Sequence, residues 1–234
     1  MKVKWIYSNE QEQWKSKAIS EKSSVKPTLW LDGNKYQKML GFGACFNELG
    51  FQALQVLPIE SQEELMKNLF GNQDKDSNFN MCRLPIGAND YAKDWYSLNE
   101  QIGDFDMKYF SIERDENCII PFVKRAMKYQ TDLKLFASPW SPPTWMKSPP
   151  VYNWGKLIMN DQNLTAYALY FAKYIKAYEE AGISVDQVHV QNEPVADQKF
   201  PSCMWTGEEL RIFIRDYLGP CFEQEGLDTE IWLG

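Results

Sequence analysis

Among the 234 residues there is one histidine, His189, so no histidine cluster can hold a metal. Any Ser-His-Asp or Cys-His catalytic group would have to use that single imidazole. Five cysteines stand at 45, 82, 118, 203 and 221, and no two form C-x-x-C. That spacing excludes a zinc site with close ligand pairs, and the odd number argues against a disulfide framework. Basic charge is also short. Twenty-five Lys and Arg against 32 Asp and Glu leave a net charge of −7, which argues against binding to nucleic-acid phosphates or to an anionic membrane. No run approaches the ~20 apolar residues of a membrane span. The first residues, MKVKWIYSNEQEQWKSK, contain no apolar leader segment. The expectation is a cytoplasmic chain, or a secreted one if the N-terminus is incomplete. No strand is followed by G-x-G-x-x-G or G-x-x-x-x-G-K-[ST], so nucleotide-binding forms of an α/β fold lose support.

Aromatic residues are plentiful. Nine Trp, twelve Tyr and thirteen Phe make up 15% of the chain. They serve either a bulky core or a site with flat apolar walls of the kind that hold sugar rings. Apolar residues at 44% and charged residues at 24% are ordinary for a globular protein.

Residues 1–38 are polar, with strand-like pieces at 3–7 and 28–31 and a turn signal at Asp32-Gly33. From residue 39 strands and helices alternate. Apolar runs at 39–46, 79–86, 133–138, 187–190 and 230–233 read as strands. Segments 61–70, 119–129, 164–180 and 208–221 have helical spacing. The aromatics at 167, 170, 171, 174 and 178 make the third of these helices a docking face rather than a ligand box. Strict alternation predicts a parallel sheet with crossover helices. The long loops 87–110, 139–160 and 193–206 then fall at the C-terminal ends of the strands, where both barrels and doubly wound sheets carry their sites.

Gln191-Asn192-Glu193-Pro194 follows the strand 187–190. Strand alternation puts His189, Gln191 and Glu193 on one face. A Glu at a strand end suits a general acid, its proton retained by its surroundings; the alternative is a solvated loop residue. Phe79, Met81 and Arg83 share a face of the strand 79–86. A guanidinium facing inward needs a partner, most simply a carboxylate near the site, unless it forms a purely structural ion pair. Asp90, seven residues on, either binds paired hydroxyls or caps its loop. Residues 139–146 hold three Pro and two Trp. This is a stiff rim that offers Trp140 for stacking, with Trp145 the better candidate for a buried corner. Cys45 and Cys82 read as packing residues, and His189 as a core residue.

Gly41-Phe42-Gly43-Ala44, Arg83-Leu84-Pro85-Ile86-Gly87-Ala88-Asn89-Asp90, the segment 137–146, Asn192-Glu193-Pro194 and Leu218-Gly219-Pro220 occur in order. Together they resemble glycoside hydrolase family 30, the glucosylceramidase-like enzymes, from about residue 39 to the last. The resemblance implies an α/β fold: a (β/α)8 TIM barrel with a β-sandwich side domain, to which residues 1–38 would contribute a β segment. It implies retaining hydrolysis of a β-glucoside by two glutamates, with no cofactor and no metal. Glu193 matches the acid/base and Asn192 the contact to the sugar 2-hydroxyl. Asp90 and Trp140 match residues that hold the sugar, and Arg83 a charged residue beneath it. The family's nucleophile lies at the end of the seventh barrel strand, whereas residues 39–234 supply about four and a half β/α units. The expectation is therefore an N-terminal portion that lacks the C-terminal half of the barrel and is inactive alone. The expected partner is a carbohydrate or glycolipid substrate, glucosylceramide or a related β-glucoside. A β-1,6-glucanase, a β-xylosidase and a non-catalytic carbohydrate-binding protein are the alternatives.

Overall fold

The structure is a computed structural model that describes residues 4–19, 30, 32–73 and 76–233. The chain divides into two compact units, Met1–Met39 and Leu40–Gly234.

In the first unit β1 (Trp5–Tyr7) pairs antiparallel with β2 (Lys15–Lys17), Ile6 opposite Ser16. The connection is held by Asn9, whose side-chain oxygen accepts from the Gln11 and Glu12 amides at 3.0 and 2.7 Å. β2 is Lys-Ser-Lys, exposed throughout. It has no apolar alternation to announce it, and only its partner strand makes it β. Gly33 takes φ +79°, and the Asn34 amide donates to Asp32 Oδ1 at 2.9 Å, so a turn stands at the Asp-Gly pair. The strand expected over 28–31 lies outside the described residues apart from Trp30.

The second unit is built on a parallel sheet. Its strands are β3 (Met81–Ile86), β4 (Lys134–Pro139), β7 (Gln187–His189) and β8 (Glu230–Trp232), in the order β3-β4-β7-β8. All three pairings are parallel, with Leu84 opposite Ala137, Ala137 opposite Val188 and Val188 opposite Ile231. The run 42–46 lies along the outer edge of β3. There the Asn80 amide donates to Phe42 O, Arg83 to Ala44 O and Phe46 to Arg83 O, at 2.9–3.0 Å. A side chain at Gly43 would run into the Met81 carbonyl, so glycine is what lets this run approach. Between β4 and α4, β5 (Lys147–Ser148) and β6 (Lys156–Leu157) form a small antiparallel pair.

The helices cover the sheet. They are α1 (Glu48–Gln55), α2 (Ile59–Phe70), α3 (Ile119–Met127), α4 (Asp161–Glu180), α5 (Gly207–Phe213) and α6 (Gly219–Glu225). Sequence spacing missed α1. Its signals are local: Asn47 caps it by accepting from the Gly50 amide at 2.7 Å, and Phe51 and Leu54 form a short buried face. The helix expected over 208–221 is present and runs without interruption through α5, a π-turn (Ile214–Leu218) and α6. Pro220 explains the π-turn. It has no N–H for the carbonyl one turn back, and the backbone widens so that the Gly219 amide reaches Ile214 O.

α4 forms the centre of the core. Tyr167, Tyr170, Phe171, Tyr174 and Tyr178 are all fully buried, as the docking-face reading requires. Asn160 caps its start by accepting from the Asn163 amide. Two of its tyrosines also hold the loop after β3. The Tyr170 hydroxyl accepts from the Leu98 amide at 3.1 Å. The Tyr178 hydroxyl donates to Asp115 Oδ2 at 2.8 Å, while Tyr96 donates to Asp115 Oδ1 at 2.6 Å.

Asp115 is completely buried, and burial pushes its carboxyl up to about 6, against the two tyrosine hydrogen bonds and Arg114. Between its ordinary value of 3.8 and about 6 the folded state holds a proton that the unfolded chain releases. This group's share of stability is therefore complete below that window and is lost as pH rises through it. Asp115→Asn should remove this term. The unfolding free energy of the variant minus that of the parent should rise between pH 4 and 6 in urea titrations. A pH-independent difference would show that Asp115 stays ionised.

Candidate active site

Three of the five residues singled out from sequence, Arg83, Trp140 and Asn192, meet at the C-terminal ends of β3, β4 and β7. Arg83 leaves β3 half-buried. Its Nε donates to Ser138 Oγ at 2.8 Å, and its Nη2 donates to the same oxygen and to Asn192 Oδ1, the latter at 2.8 Å. The guanidinium lies over the Trp140 ring, 4.2 Å from its centroid. Backbone bonds lock the same junction. The Asn192 amide donates to Pro139 O at 2.9 Å. Gln191 Nε2 donates to Trp140 O and to Asn192 O at 2.8 and 2.9 Å.

Burial lowers the pKa of Arg83, and the negative charge of Asp90 and Glu193 opposes that shift. Arginine titrates so high that it remains a cation here. The expected carboxylate partner is not found: among the described residues Arg83 forms no ion pair at salt-bridge distance. Its direct partners are a hydroxyl, an amide oxygen and a π face, all able to stabilise a cation without neutralising it. The nearby carboxylates act on it through space.

Glu193 is solvent-exposed beside this junction. Its backbone is left-handed, φ +45°, a region that costs a non-glycine residue about 1 kcal/mol or more. Neighbouring bonds hold that turn: the Ala196 amide donates to Glu193 O at 2.9 Å and the Trp205 amide to Pro194 O at 2.8 Å. Strand alternation therefore does not extend to Glu193. β7 ends at His189, Gln191 is buried, and Glu193 is aimed by a turn. Gln198 Nε2 stands 3.5 Å from Glu193 Oε2, a long contact.

Asp90 is exposed, and among the described residues it makes no hydrogen bond to the other four. Its position is set by Asn89, buried beneath it, whose Oδ1 accepts from the Tyr91 amide at 2.9 Å. Gly87 allows the chain to turn out of β3. It takes φ +76°, and its neighbour's amide, that of Ala88, donates to Tyr96 O.

The aromatic rim differs from expectation in one respect. Trp140 is only 5% exposed, one face under Arg83, so it is a wall of the site and not an open platform. Trp145 is part-buried, with its Nε1 donating to Asn99 O. Trp95 and Trp154 carry the exposed faces.

His189 is half-buried between Phe136 and Trp232, ring centroids 5.0 and 6.0 Å away. Burial and the Arg83 charge lower its pKa, and its place is in the packing of the sheet face. Burial pushes the Cys45 thiol up to about 11, which leaves it a neutral packing group rather than a nucleophile. Among the described residues no three His, Cys, Asp or Glu side chains form a metal-binding group. No helix is long and apolar enough to cross a membrane, among the same residues. An apolar groove at the opposite ends of the strands, past Leu40, Leu135 and Val185, holds none of these polar residues.

Ser138 and Gln191 were missed from sequence, although both orient the junction. Their signal was faint: a lone hydroxyl at the end of an apolar strand, and an amide read only as a neighbour of Glu193.

Residues 39–233 match the model of the Glycosyl hydrolase family 30 TIM-barrel domain. A Caenorhabditis elegans protein that carries a glucosylceramidase name is 34% identical over 210 residues, 85% of this chain and 39% of its own length. The endo-1,6-beta-D-glucanase neg1 of Aspergillus fumigatus is 30% identical over 213 residues, 84% of this chain and 43% of its own. The crystal structure of SrfJ from Salmonella typhimurium superposes with TM-score 0.84 at 28% identity, covering 97% of this chain and 53% of that one. The chain thus spans about two fifths of the length of these curated relatives.

Proposed function

The chain belongs to glycosyl hydrolase family 30, and from that premise we propose that the whole protein is a retaining β-glycosidase with Glu193 as its acid/base. The observation that carries the reading is the junction of Arg83, Ser138, Trp140 and Asn192 beside a glutamate held on left-handed backbone. The bond from Arg83 occupies the Asn192 side-chain oxygen, which leaves its NH2 group as the donor for a ligand. In this proposal that group meets the sugar 2-hydroxyl, Asp90 accepts from sugar hydroxyls and Trp140 walls the ring. Glu193 gives its proton to the departing glycosidic oxygen as a second carboxylate attacks the anomeric carbon. Glu193 then takes a proton from the water that releases the sugar with retained configuration.

A retaining pair needs its carboxyls ~5–5.5 Å apart. The proposal places the nucleophile outside these 234 residues, with the strands that would close the sheet into an eight-stranded barrel. Residues 1–38 are proposed as part of a β-sandwich side domain.

The relatives' names cover both a glycolipid and a β-1,6-glucan as substrates, and the proposed class is β-glucosides. The whole protein is expected to hydrolyse an aryl β-glucoside and one of glucosylceramide or β-1,6-glucan; a panel that includes a β-xyloside ranks them by kcat/KM. Sugar binding with no turnover of any member would replace this reading with a carbohydrate-binding protein.

A further inference from the structure

Lys147, at the start of β5, is 2% exposed. Its ammonium has three donors, and all three are used: Ser141 Oγ at 2.9 Å, Tyr152 O at 2.9 Å and Ser202 O at 2.6 Å. None of these partners is a carboxylate. Burial lowers the lysine to about 8, a shift that the charges of Asp197 and Glu100 oppose, so it is still largely a cation at neutral pH. A buried cation neutralised by no partner is a poor way to gain stability, and a well-packed apolar side chain serves that end better. What the ammonium does supply is direction, because it fixes three separate chain segments at one point.

Those segments all border the candidate site. Ser141 belongs to the stiff rim that carries Trp140. Tyr152 lies in the loop before β6, its ring against exposed Trp95 at 6.5 Å. Ser202 lies in the loop that begins at Glu193. From Ser202 the network continues toward Glu193. The Ser202 hydroxyl accepts from the Trp154 and Gln198 amides at 2.8 and 3.1 Å and donates to Gln198 O at 3.3 Å. The side-chain amide of Gln198 is the group that stands beside the Glu193 carboxyl. Two further bonds tie the same loop to the segment around Trp154: Gly155 N to Asp197 Oδ1 at 3.1 Å and Met204 N to Gly155 O at 2.8 Å.

We propose that Lys147 is a positioning residue for acid catalysis: by pinning Ser202 to the rim of the site it sets, through Gln198, where the Glu193 carboxyl stands. This rests on the acid/base reading of Glu193. It adds a role for a buried side chain that touches neither the sugar nor the reacting bond.

The test compares two β-glucosides in the whole protein. A 2,4-dinitrophenyl leaving group departs without a proton, whereas an alkyl leaving group needs one. kcat/KM reports the first bond-breaking step for both. Lys147→Met is expected to lower kcat/KM for the alkyl glucoside about 10²-fold, and for the dinitrophenyl glucoside less than about tenfold. Equal losses on the two substrates would assign Lys147 to folding alone and overturn the proposal, as would no loss on either. Should Lys147→Met not fold, Gln198→Leu carries the test, because it removes only the amide beside Glu193. The same skew supports the proposal and parental rates on both substrates overturn it. If Glu193→Gln shows the skew and the Lys147 and Gln198 variants do not, only the positioning role falls. If the unsubstituted protein cleaves neither glucoside, the acid/base reading falls first and the positioning role with it.

Discussion

Glu193→Gln in the whole protein is expected to lower kcat/KM for an alkyl β-glucoside by about 10²–10⁴-fold, the usual contribution of a positioned general acid. The amide has the shape of the protonated acid but no proton that it can give up. The loss should therefore appear in turnover and hardly in sugar affinity. Glu193 is exposed and carries no packing, so the variant should unfold at the parental temperature. These two controls make the result decisive. A rate unchanged by Glu193→Gln would remove Glu193 from the chemistry, whatever the family. A large loss accompanied by early unfolding would point to the loop instead.

The second large effect is expected at Arg83. Arg83→Lys keeps the positive charge and removes the planar fork. A lysine can reach one of the two oxygens now shared by Nε and Nη2, but not both, and it cannot lie flat on Trp140. A hydrogen bond to a charged group contributes about 1.5–3 kcal/mol, which sets the expected loss in kcat/KM at about 10²-fold. The Asn192 amide would lose the bond that sets its orientation, so the fall should be largest for substrates that carry a 2-hydroxyl. A 2-deoxy-glucoside, which lacks that group, should lose much less. Equal losses on the two sugars would separate Arg83 from Asn192. A parental rate on both would reduce Arg83 to a packing residue.

Much of the fold was legible because its signals are local. The strands around Leu84, Ala137 and Val188 are apolar on both faces, and the aromatic residues of α4 recur at helical spacing. The elements that were missed lack apolar spacing long enough to announce them, or depend on another part of the chain. Lys-Ser-Lys is a strand only because Trp5–Tyr7 lies beside it. α1 is short and is signalled mainly by its cap. Pro220 puts a π-turn into the helix read over 208–221, since the apolar spacing runs through the proline while the regular hydrogen-bond ladder cannot. The site shows the same division. Motif order marked Arg83, Asp90, Trp140, Asn192 and Glu193. It could not show that Arg83 rests on Ser138, 55 residues away, in place of a carboxylate. Nor could it show that Lys147 meets Ser202, again 55 residues away, since a lysine in a loop sequence reads as solvated until the fold buries it.

The left-handed backbone at Glu193 also bears on how this protein would respond to selection. Glycine adopts φ +45° without steric penalty and asparagine adopts it more readily than most residues, so either should sit there with less strain than glutamate. A library screened for heat resistance alone would therefore be drawn toward sequences that have lost the proposed acid/base, its gains in robustness and losses in turnover arising from the same codon. Any effort to harden this protein has to score activity at every round.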